Sequence, residues 1–252
     1  MDRLQLDKNA KLTGRVYFKD EVMWLGLSGS GASFTFGGTK LVLKLKGDNI
    51  AVGENPIDYA RIAVYVDGKR VVEEMINCAE KEVTVIDRTE NAQSVVEIIK
   101  LSESPMSAVG IEAFAEGSAE ALPEKPLKIE FIGDSITCGY GVDDEDENHQ
   151  FTTATEDVTK AYAYKTAKAL DAEYSMFSAS GYGIVSGYTE GDEPISEQTI
   201  PQFYCSYGFS RGNFAGTAPQ DIPWDFSKYI PQIIVINLGT NDDSYCRDHK
   251  DR

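Results

Sequence analysis

The sequence predicts two domains of different class, an all-β sandwich followed by an α/β domain. Short apolar stretches recur at regular spacing from about residue 14 to residue 115, and no stretch between them has helical periodicity. A segment rich in proline, glycine, glutamate and alanine follows. From residue 127 the order becomes strand, loop, helix, strand. We therefore place a β domain at 1–117, a linker at 118–126 and an α/β domain at 127–252.

The β domain is predicted from its strands and their turns. Asp67-Gly68 lies between two apolar stretches, and this dipeptide favours a tight hairpin because both turn residues need positive φ. Many short strands separated by turns are typical of an antiparallel sandwich of the jelly-roll type. The predicted strands are 15–18, 22–25, 33–36, 41–45, 62–66, 70–72, 83–86, 95–101 and 109–114.

The second domain is predicted from apolar stretches that end in polar turns. Strands are expected at 129–132, 174–178 and 233–238, with a helix over 157–170 whose N-cap is Thr155 or Asp157. Alternation of strand and helix is typical of a parallel sheet covered by helices, that is, a three-layer α/β domain.

Composition excludes several classes of partner and cofactor. A net charge of −17, from 41 acidic and 24 basic residues, repels nucleic acid and anionic membranes, so we expect neither as a partner. No apolar stretch approaches the ~20 residues of a membrane span. The four cysteines lack metal-ligand spacing, so we expect reduced thiols, no metal and no cofactor. These features favour a cytoplasmic protein, or a secreted one if a leader has been removed.

Two strands of the α/β domain end in glycine-led turns that carry small polar groups. Gly133-Asp134-Ser135 follows one strand, and Gly239-Thr240-Asn241 follows another. Reacting groups gather at the carboxyl ends of parallel strands, so Ser135 and Asn241 should lie at one edge. Ser135 is a candidate nucleophile, although a helix-capping serine is the alternative. Asn241 is a candidate donor to an oxyanion, although turn asparagines are common.

A third glycine-containing turn lies between these two in the sequence. Ser180-Gly181-Tyr182-Gly183 follows the strand at 174–178, and glycines let the backbone approach a ligand closely. We expect the Gly183 N–H to complete an oxyanion hole, with Gly181 as the second choice. Two glycines in a loop can equally be an ordinary turn.

These three turns resemble the first three sequence blocks of the SGNH (GDSL-type) hydrolases. The preceding β domain and the run from Gly133 to Gly141 resemble carbohydrate esterase family 2, whose members have a jelly-roll domain before a flavodoxin-like catalytic domain. The resemblance implies that Ser135 is the nucleophile and that its N–H, Gly183 and Asn241 form the oxyanion hole. It also implies an acetylated plant polysaccharide or oligosaccharide as substrate.

The sequence departs from this family at the general base. The resemblance implies a histidine in a fourth block far beyond Asn241, and the sequence contains only His149 and His249. His149 lies in an acidic loop and His249 in a polar, charged stretch, so neither is expected to be the base. We therefore expect the α/β domain to be incomplete at its C-terminus. The missing segment would belong to the same polypeptide or to another chain.

The sequence thus predicts a carbohydrate O-acetyl esterase that forms an acyl-serine intermediate. Serine needs a neighbouring base to be an effective nucleophile, so residues 1–252 alone should be nearly inactive. Two alternatives remain at this point. One is a non-catalytic carbohydrate-binding protein with a degenerate hydrolase domain, and the other is a lipid or thioester hydrolase on the same framework.

Overall fold

A computed structural model describes residues 1–247 and shows a β-rich N-terminal domain followed by an α/β domain. The strands are β1 Asp2–Leu4, β2 Lys11–Thr13, β3 Val16–Lys19, β4 Val22–Leu25, β5 Gly31–Gly47, β6 Ala60–Val66, β7 Lys69–Ile76, β8 Glu80–Lys100, β9 Val109–Ala121, β10 Lys128–Gly133, β11 Glu173–Ser178 and β12 Ile233–Asn237. The helices are α1 Leu6–Asn9, α2 Ser135–Cys138, α3 Tyr162–Ala169, α4 Ile200–Phe203 and α5 Thr240–Cys246. Within this part of the chain, no helix has the length and apolar character needed to cross a membrane.

The N-terminal domain is an antiparallel sheet around one apolar core. Its strand order is β3-β4-β9-β5-β8-β6-β7, with β1 paired to β9 and β2 paired to β5. The predicted strands 33–36 and 41–45 are parts of the continuous β5, and 83–86 and 95–101 lie within or at the end of β8. Asp67 and Gly68 have φ of 50° and 78°, which confirms the predicted hairpin turn.

A β-bulge explains why β5 was predicted as two strands. The register shifts between Gly38 and Lys40, so the large, fully buried side chains change from even positions (Phe34, Phe36) to odd positions (Leu41, Leu43, Leu45). A Cβ on Gly38 would lie 2.3 Å from the carbonyl oxygen of Glu116, so no larger residue fits beside β9. Gly38 thus allows the close approach of β5 and β9.

The boundary between the domains differs from the predicted one. Strand β9 continues to Ala121, so the first four residues of the predicted linker 118–126 belong to the sheet. Their pairing with Phe34 to Gly37 of β5 supplies backbone hydrogen bonds that the local composition does not reveal. The non-strand connection therefore covers only residues 122–127.

The α/β domain contains a parallel sheet in the order β11-β10-β12. Gly133 at the end of β10 lies opposite Ser178 of β11 and Asn237 of β12, so the three carboxyl ends are aligned as predicted. Strands β10 and β11 are mostly buried. In β12, by contrast, Ile234 and Ile236 are 54% and 63% exposed.

The predicted helix at 157–170 is shorter than expected. Residues Val158–Lys160 form a 3₁₀ turn, and α3 begins only at Tyr162 because Ala161 has extended backbone (φ −75°, ψ 160°). Asp157 caps the 3₁₀ turn by accepting the N–H of Thr159 at 3.0 Å. The predicted N-cap of the helix, Thr155 or Asp157, is therefore wrong: Ala161 precedes α3 and makes no side-chain cap hydrogen bond.

One buried arginine joins the two domains. Arg15, from the β domain, is fully buried and donates to the carbonyl oxygens of Tyr204 and Ser206 at 2.6 and 2.5 Å. Its guanidinium also contacts Glu130 of β10 at 3.5 Å and lies 4.4 Å from the ring centre of Phe177. The α/β domain is therefore held against the β domain by a charged group in its interior.

Candidate active site

The three predicted turns meet in one pocket at the carboxyl ends of the parallel strands. The pocket has a volume of about 380 Å³. It is lined by Glu103, Met106, Ser135, Tyr140, Ser180, Gly181, Tyr188 and Asn241. Ser135 and Asn241, which lie more than a hundred positions apart in the sequence, therefore share a pocket.

Ser135 occupies the first position of α2, directly after β10. The N-cap of this helix is Asp134, whose side chain accepts the N–H of Ile136 at 3.1 Å. Ser135 is therefore not the capping residue, and within residues 1–247 its hydroxyl has no hydrogen-bond partner. This leaves the hydroxyl free to react at the pocket surface.

Asn241 lies in the first turn of α5 and is mostly buried. Its Nδ2 donates one hydrogen bond to the carbonyl oxygen of Tyr182 at 2.8 Å. The primary amide carries two N–H donors, so the second remains available to a group in the pocket. The contact with Tyr182 fixes the side chain against the glycine-containing loop.

The structure contradicts Gly183 as an oxyanion-hole donor and favours Gly181. The N–H of Gly183 donates to the carbonyl oxygen of Gln198 at 3.2 Å, so it is already occupied. A Cβ on Gly183 would lie 2.0 Å from the carbonyl oxygen of Ser186, which shows that this glycine is needed for packing. Gly181 lines the pocket with φ of 79°, and its N–H has no acceptor in the described part of the chain.

Asp242 braces the loop that follows these glycines. Its carboxylate accepts the N–H groups of Ile184, Val185 and Ser186 at 2.6–3.1 Å. Partial burial favours the neutral acid, but these backbone donors outweigh it and lower the pKa of Asp242. Asp242 is therefore a charged structural residue beside Asn241.

The described residues contain no histidine at the pocket. His149 is on the surface, with Nδ1 2.9 Å from a carboxylate oxygen of Asp144 and Nε2 3.7 Å from one of Asp146. This confirms its expected surface position. His249 lies outside the described residues. Residues 1–247 therefore place no histidine beside Ser135.

A buried polar cluster lies behind the pocket, and the sequence analysis missed it. Glu103, Cys138 and Glu156 place one carboxylate oxygen each and a thiol sulfur within 4.8 Å of one another. Within residues 1–247 these three groups are the set that could supply ligands to a cation. The side-chain nitrogen of Lys100 donates to the carbonyl oxygens of Ser102 and Glu103 at 2.7 and 3.0 Å, so positive charge is already present in the same cluster.

Aromatic side chains form the open walls of the pocket. Tyr188 is half exposed, and the exposed Tyr140 stacks on Phe151 with ring centres 4.1 Å apart. Trp224 lies in a separate groove of about 400 Å³ with Tyr17 and Tyr229. The tyrosines beside Ser135 are thus the aromatic surfaces available to a ligand at this site.

Comparison with protein families gives a match for the β domain. The model described as "Carbohydrate esterase 2 N-terminal" matches residues 12–126. This range covers β2 to β9 and the connection that leads to the α/β domain. For the β domain, the predicted resemblance to carbohydrate esterase family 2 is therefore confirmed.

Individual relatives are similar across both domains. Cellulase/esterase CelE of Acetivibrio thermocellus is 33% identical over 218 residues, which cover 85% of this chain and 24% of that protein. An acetylxylan esterase / glucomannan deacetylase of Cellvibrio japonicus is 28% identical over 243 residues, which cover 94% of this chain and 62% of that protein. The chain thus spans about a quarter of the first relative and under two thirds of the second.

A solved structure supports the same similarity in three dimensions. A family two carbohydrate esterase from Clostridium thermocellum, in complex with cellohexaose, superposes with a TM-score of 0.76 at 29% identity. The match covers 93% of this chain and 67% of that one. Both domains, in the arrangement found here, therefore have counterparts in a solved esterase.

Proposed function

Because the chain resembles carbohydrate esterase family 2 and has an SGNH-type hydrolase fold, we propose that the protein is a carbohydrate O-acetyl esterase. The observation that carries this proposal is the meeting of Ser135, Gly181 and Asn241 in one pocket. A hydroxyl beside two N–H donors from different strand ends is the arrangement that ester hydrolysis through an acyl-serine requires.

The proposed reaction has two steps. Ser135 Oγ attacks the acetyl carbonyl carbon while a base takes its proton, and the carbonyl oxygen becomes an oxyanion. The N–H groups of Ser135 and Gly181 and the second N–H of Asn241 Nδ2 donate to this oxyanion. Its collapse breaks the ester C–O bond, and the leaving sugar oxygen takes the proton from the base to become a hydroxyl. Water then attacks the acetyl-serine in the same way and releases acetate.

We further propose that the base comes from a segment outside residues 1–247. Strand β12 supports this proposal, because Ile233, Ile234 and Ile236 are all more than two fifths exposed. Apolar side chains on both faces of a parallel strand are normally covered by a neighbouring strand and by helices. A further segment that covers β12 could place a histidine at the carboxyl ends of the strands. We also propose that the β domain has jelly-roll topology.

The proposed substrate is an acetylated plant polysaccharide or oligosaccharide. Relatives are named acetylxylan esterase / glucomannan deacetylase, and a related esterase was solved with cellohexaose. Tyr140 and Tyr188 at the open side of the pocket give flat surfaces on which a sugar ring can stack. The exposed Tyr140 and Tyr188 also fit a second candidate function, non-catalytic glycan binding.

The test is ester cleavage by the full-length natural polypeptide with and without Ser135. We expect the unmodified protein to release acetate from an aryl acetate and from acetylated xylan. Ser135→Ala should lower kcat by at least about 1,000-fold, because the nucleophile is removed and only binding and oxyanion stabilisation remain. Ser118→Ala, which changes an exposed serine of β9, is the matched control and should be fully active.

The outcomes separate the candidate functions. Retained turnover in Ser135→Ala would contradict the assigned nucleophile. Glycan binding without ester cleavage by the full-length protein would favour the non-catalytic function. Preference for long-chain esters over sugar acetates would favour the lipid hydrolase alternative.

A further inference from the structure

Glu103 is a carboxylate of the β domain that reaches the pocket of the α/β domain. It lies in the connection between β8 and β9, three residues after Lys100, and its side chain is fully buried. It nevertheless lines the pocket together with Ser135 and Gly181. An acidic side chain is rarely buried completely unless its oxygens have specific partners.

The partners of Glu103 belong to two of the three site turns. Its Oε2 accepts the backbone N–H of Ser180, the residue directly before Gly181. The same oxygen accepts the thiol of Cys138 at 3.6 Å, and Cys138 is the last residue of α2, the helix that begins with Ser135. One carboxylate oxygen therefore joins the loop of the proposed oxyanion hole to the helix of the nucleophile.

The charges around Glu103 favour its ionised form. Glu156 is also fully buried, and its Oε2 accepts the backbone N–H of Glu103 at 2.8 Å. Burial raises the pKa of Glu156 well above its usual value and also raises the pKa of Glu103. The two hydrogen-bond donors on Glu103 Oε2 and the positive charge of Lys100 oppose this effect and favour the ionised form of Glu103.

We propose that ionised Glu103 is a positioning residue that orients the Ser180–Gly181 segment so that the Gly181 N–H points into the pocket. A hydrogen bond from an N–H to a carboxylate is about twice as strong as one to a neutral acceptor, so it holds the Ser180 amide firmly. Gly181 follows with φ of 79°. Because glycine adopts positive and negative φ about equally readily, the residue itself does not fix this conformation, and a bonded neighbour is needed to hold it. The inference rests on the proposed function, because it assigns Gly181 to the oxyanion hole.

The kinetic test compares Glu103→Gln and Glu103→Ala in the full-length protein. Glutamine keeps the shape and an acceptor oxygen but not the charge, so kcat should fall by about 10-fold. Alanine removes the acceptor, and misplacement of the Gly181 N–H should lower kcat by about 100-fold. KM should change little in both, because the Ser180 amide does not bind the ground-state substrate. Glu112→Gln is the matched control, since Glu112 is a buried β-domain glutamate that pairs with Arg3 and Lys46.

A second measurement requires no catalysis. Hydrogen exchange of the backbone amides should be faster at Ser180 and Gly181 in both Glu103 variants than in the unmodified chain, and unchanged in Glu112→Gln. Unchanged exchange at Ser180 in Glu103→Ala would overturn the inference, as would a kcat within about threefold of the unmodified protein. If the unmodified full-length protein cleaves no ester, the proposed function fails. The exchange measurement then still decides whether Glu103 orders this loop.

Discussion

Removal of the buried arginine between the domains should strongly destabilise the protein. In Arg15→Met the side-chain length is retained, but the guanidinium that contacts Glu130 and two backbone carbonyl oxygens is lost. Burial lowers the pKa of Arg15, yet a guanidinium remains charged at all ordinary pH values. The substitution therefore removes a positive charge from the interior and leaves the Glu130 carboxylate and the two carbonyl oxygens without their donor.

The magnitude follows from the groups that lose their donor. Glu130 is 5% exposed, and after the substitution the hydroxyl of Tyr204, at 2.6 Å, is the one donor to its carboxylate that remains within residues 1–247. Breaking a buried ion pair by removing one partner typically costs about 3–5 kcal/mol. This is a large part of the total stability of a domain, which is about 5–15 kcal/mol. Adding Glu130→Gln removes the orphaned charge, so the double variant should recover about 1–2 kcal/mol.

Urea unfolding followed by tryptophan fluorescence is the appropriate assay. The ring of Trp224 lies 5.2 Å from the Arg15 guanidinium and reports on the contact, whereas Trp24 in β4 reports on the β domain. Arg3→Met breaks an exposed ion pair with Glu21 and leaves the buried Glu112 paired with Lys46, so it should cost less than about 1 kcal/mol. The reasoning is refuted if Arg15→Met costs no more than Arg3→Met, or if the double variant is not more stable than Arg15→Met alone.

Two further predictions concern the turn after β12. Asn241→Ala should lower kcat of the full-length protein on an aryl acetate by about 100- to 1,000-fold with little change in KM, since one oxyanion donor is lost; a decrease below tenfold would contradict this role. Asp242→Asn should destabilise the chain at neutral pH. The lowered pKa of Asp242 contributes stability above its unfolded-state value of about 3.9, and this contribution is lost as pH falls through the lower folded-state pKa. The difference in urea midpoint between the two proteins should therefore shrink below about pH 4, and a difference independent of pH would exclude the charge as its cause.

Local patterns were sufficient for the short strands and turns of the fold. The Asp67-Gly68 hairpin and the three parallel strands follow from residue types that are near one another in sequence. The length of β5 could not be predicted in this way. Gly38 reads as a turn residue, and only its approach to Glu116 on another strand shows that it continues the sheet. The length of β5 depends on its pairing with β9, and a local sequence pattern contains no information about that pairing.

The same division between local and long-range information applies to the site. Ser135 and Asn241 could be predicted because each follows a buried strand, and aligned strand ends place them together. The choice between Gly181 and Gly183 depends on which N–H is already bonded, and the acceptor for Gly183 is Gln198 in a separate segment. No local sequence pattern indicates Glu103, because the groups that bond its carboxylate, Ser180 and Cys138, lie in the other domain.

The β domain contributes directly to the proposed catalytic pocket. It supplies Glu103 and Met106 to the pocket lining. Its Arg15 also donates to the carbonyl oxygens of Tyr204 and Ser206 in the α/β domain. Because the Ser180 amide is bonded to a residue of the β domain, the geometry of the Gly181 N–H depends on how the two domains dock. Substitutions at this boundary should therefore affect catalysis as well as stability, even where they touch neither Ser135 nor the substrate.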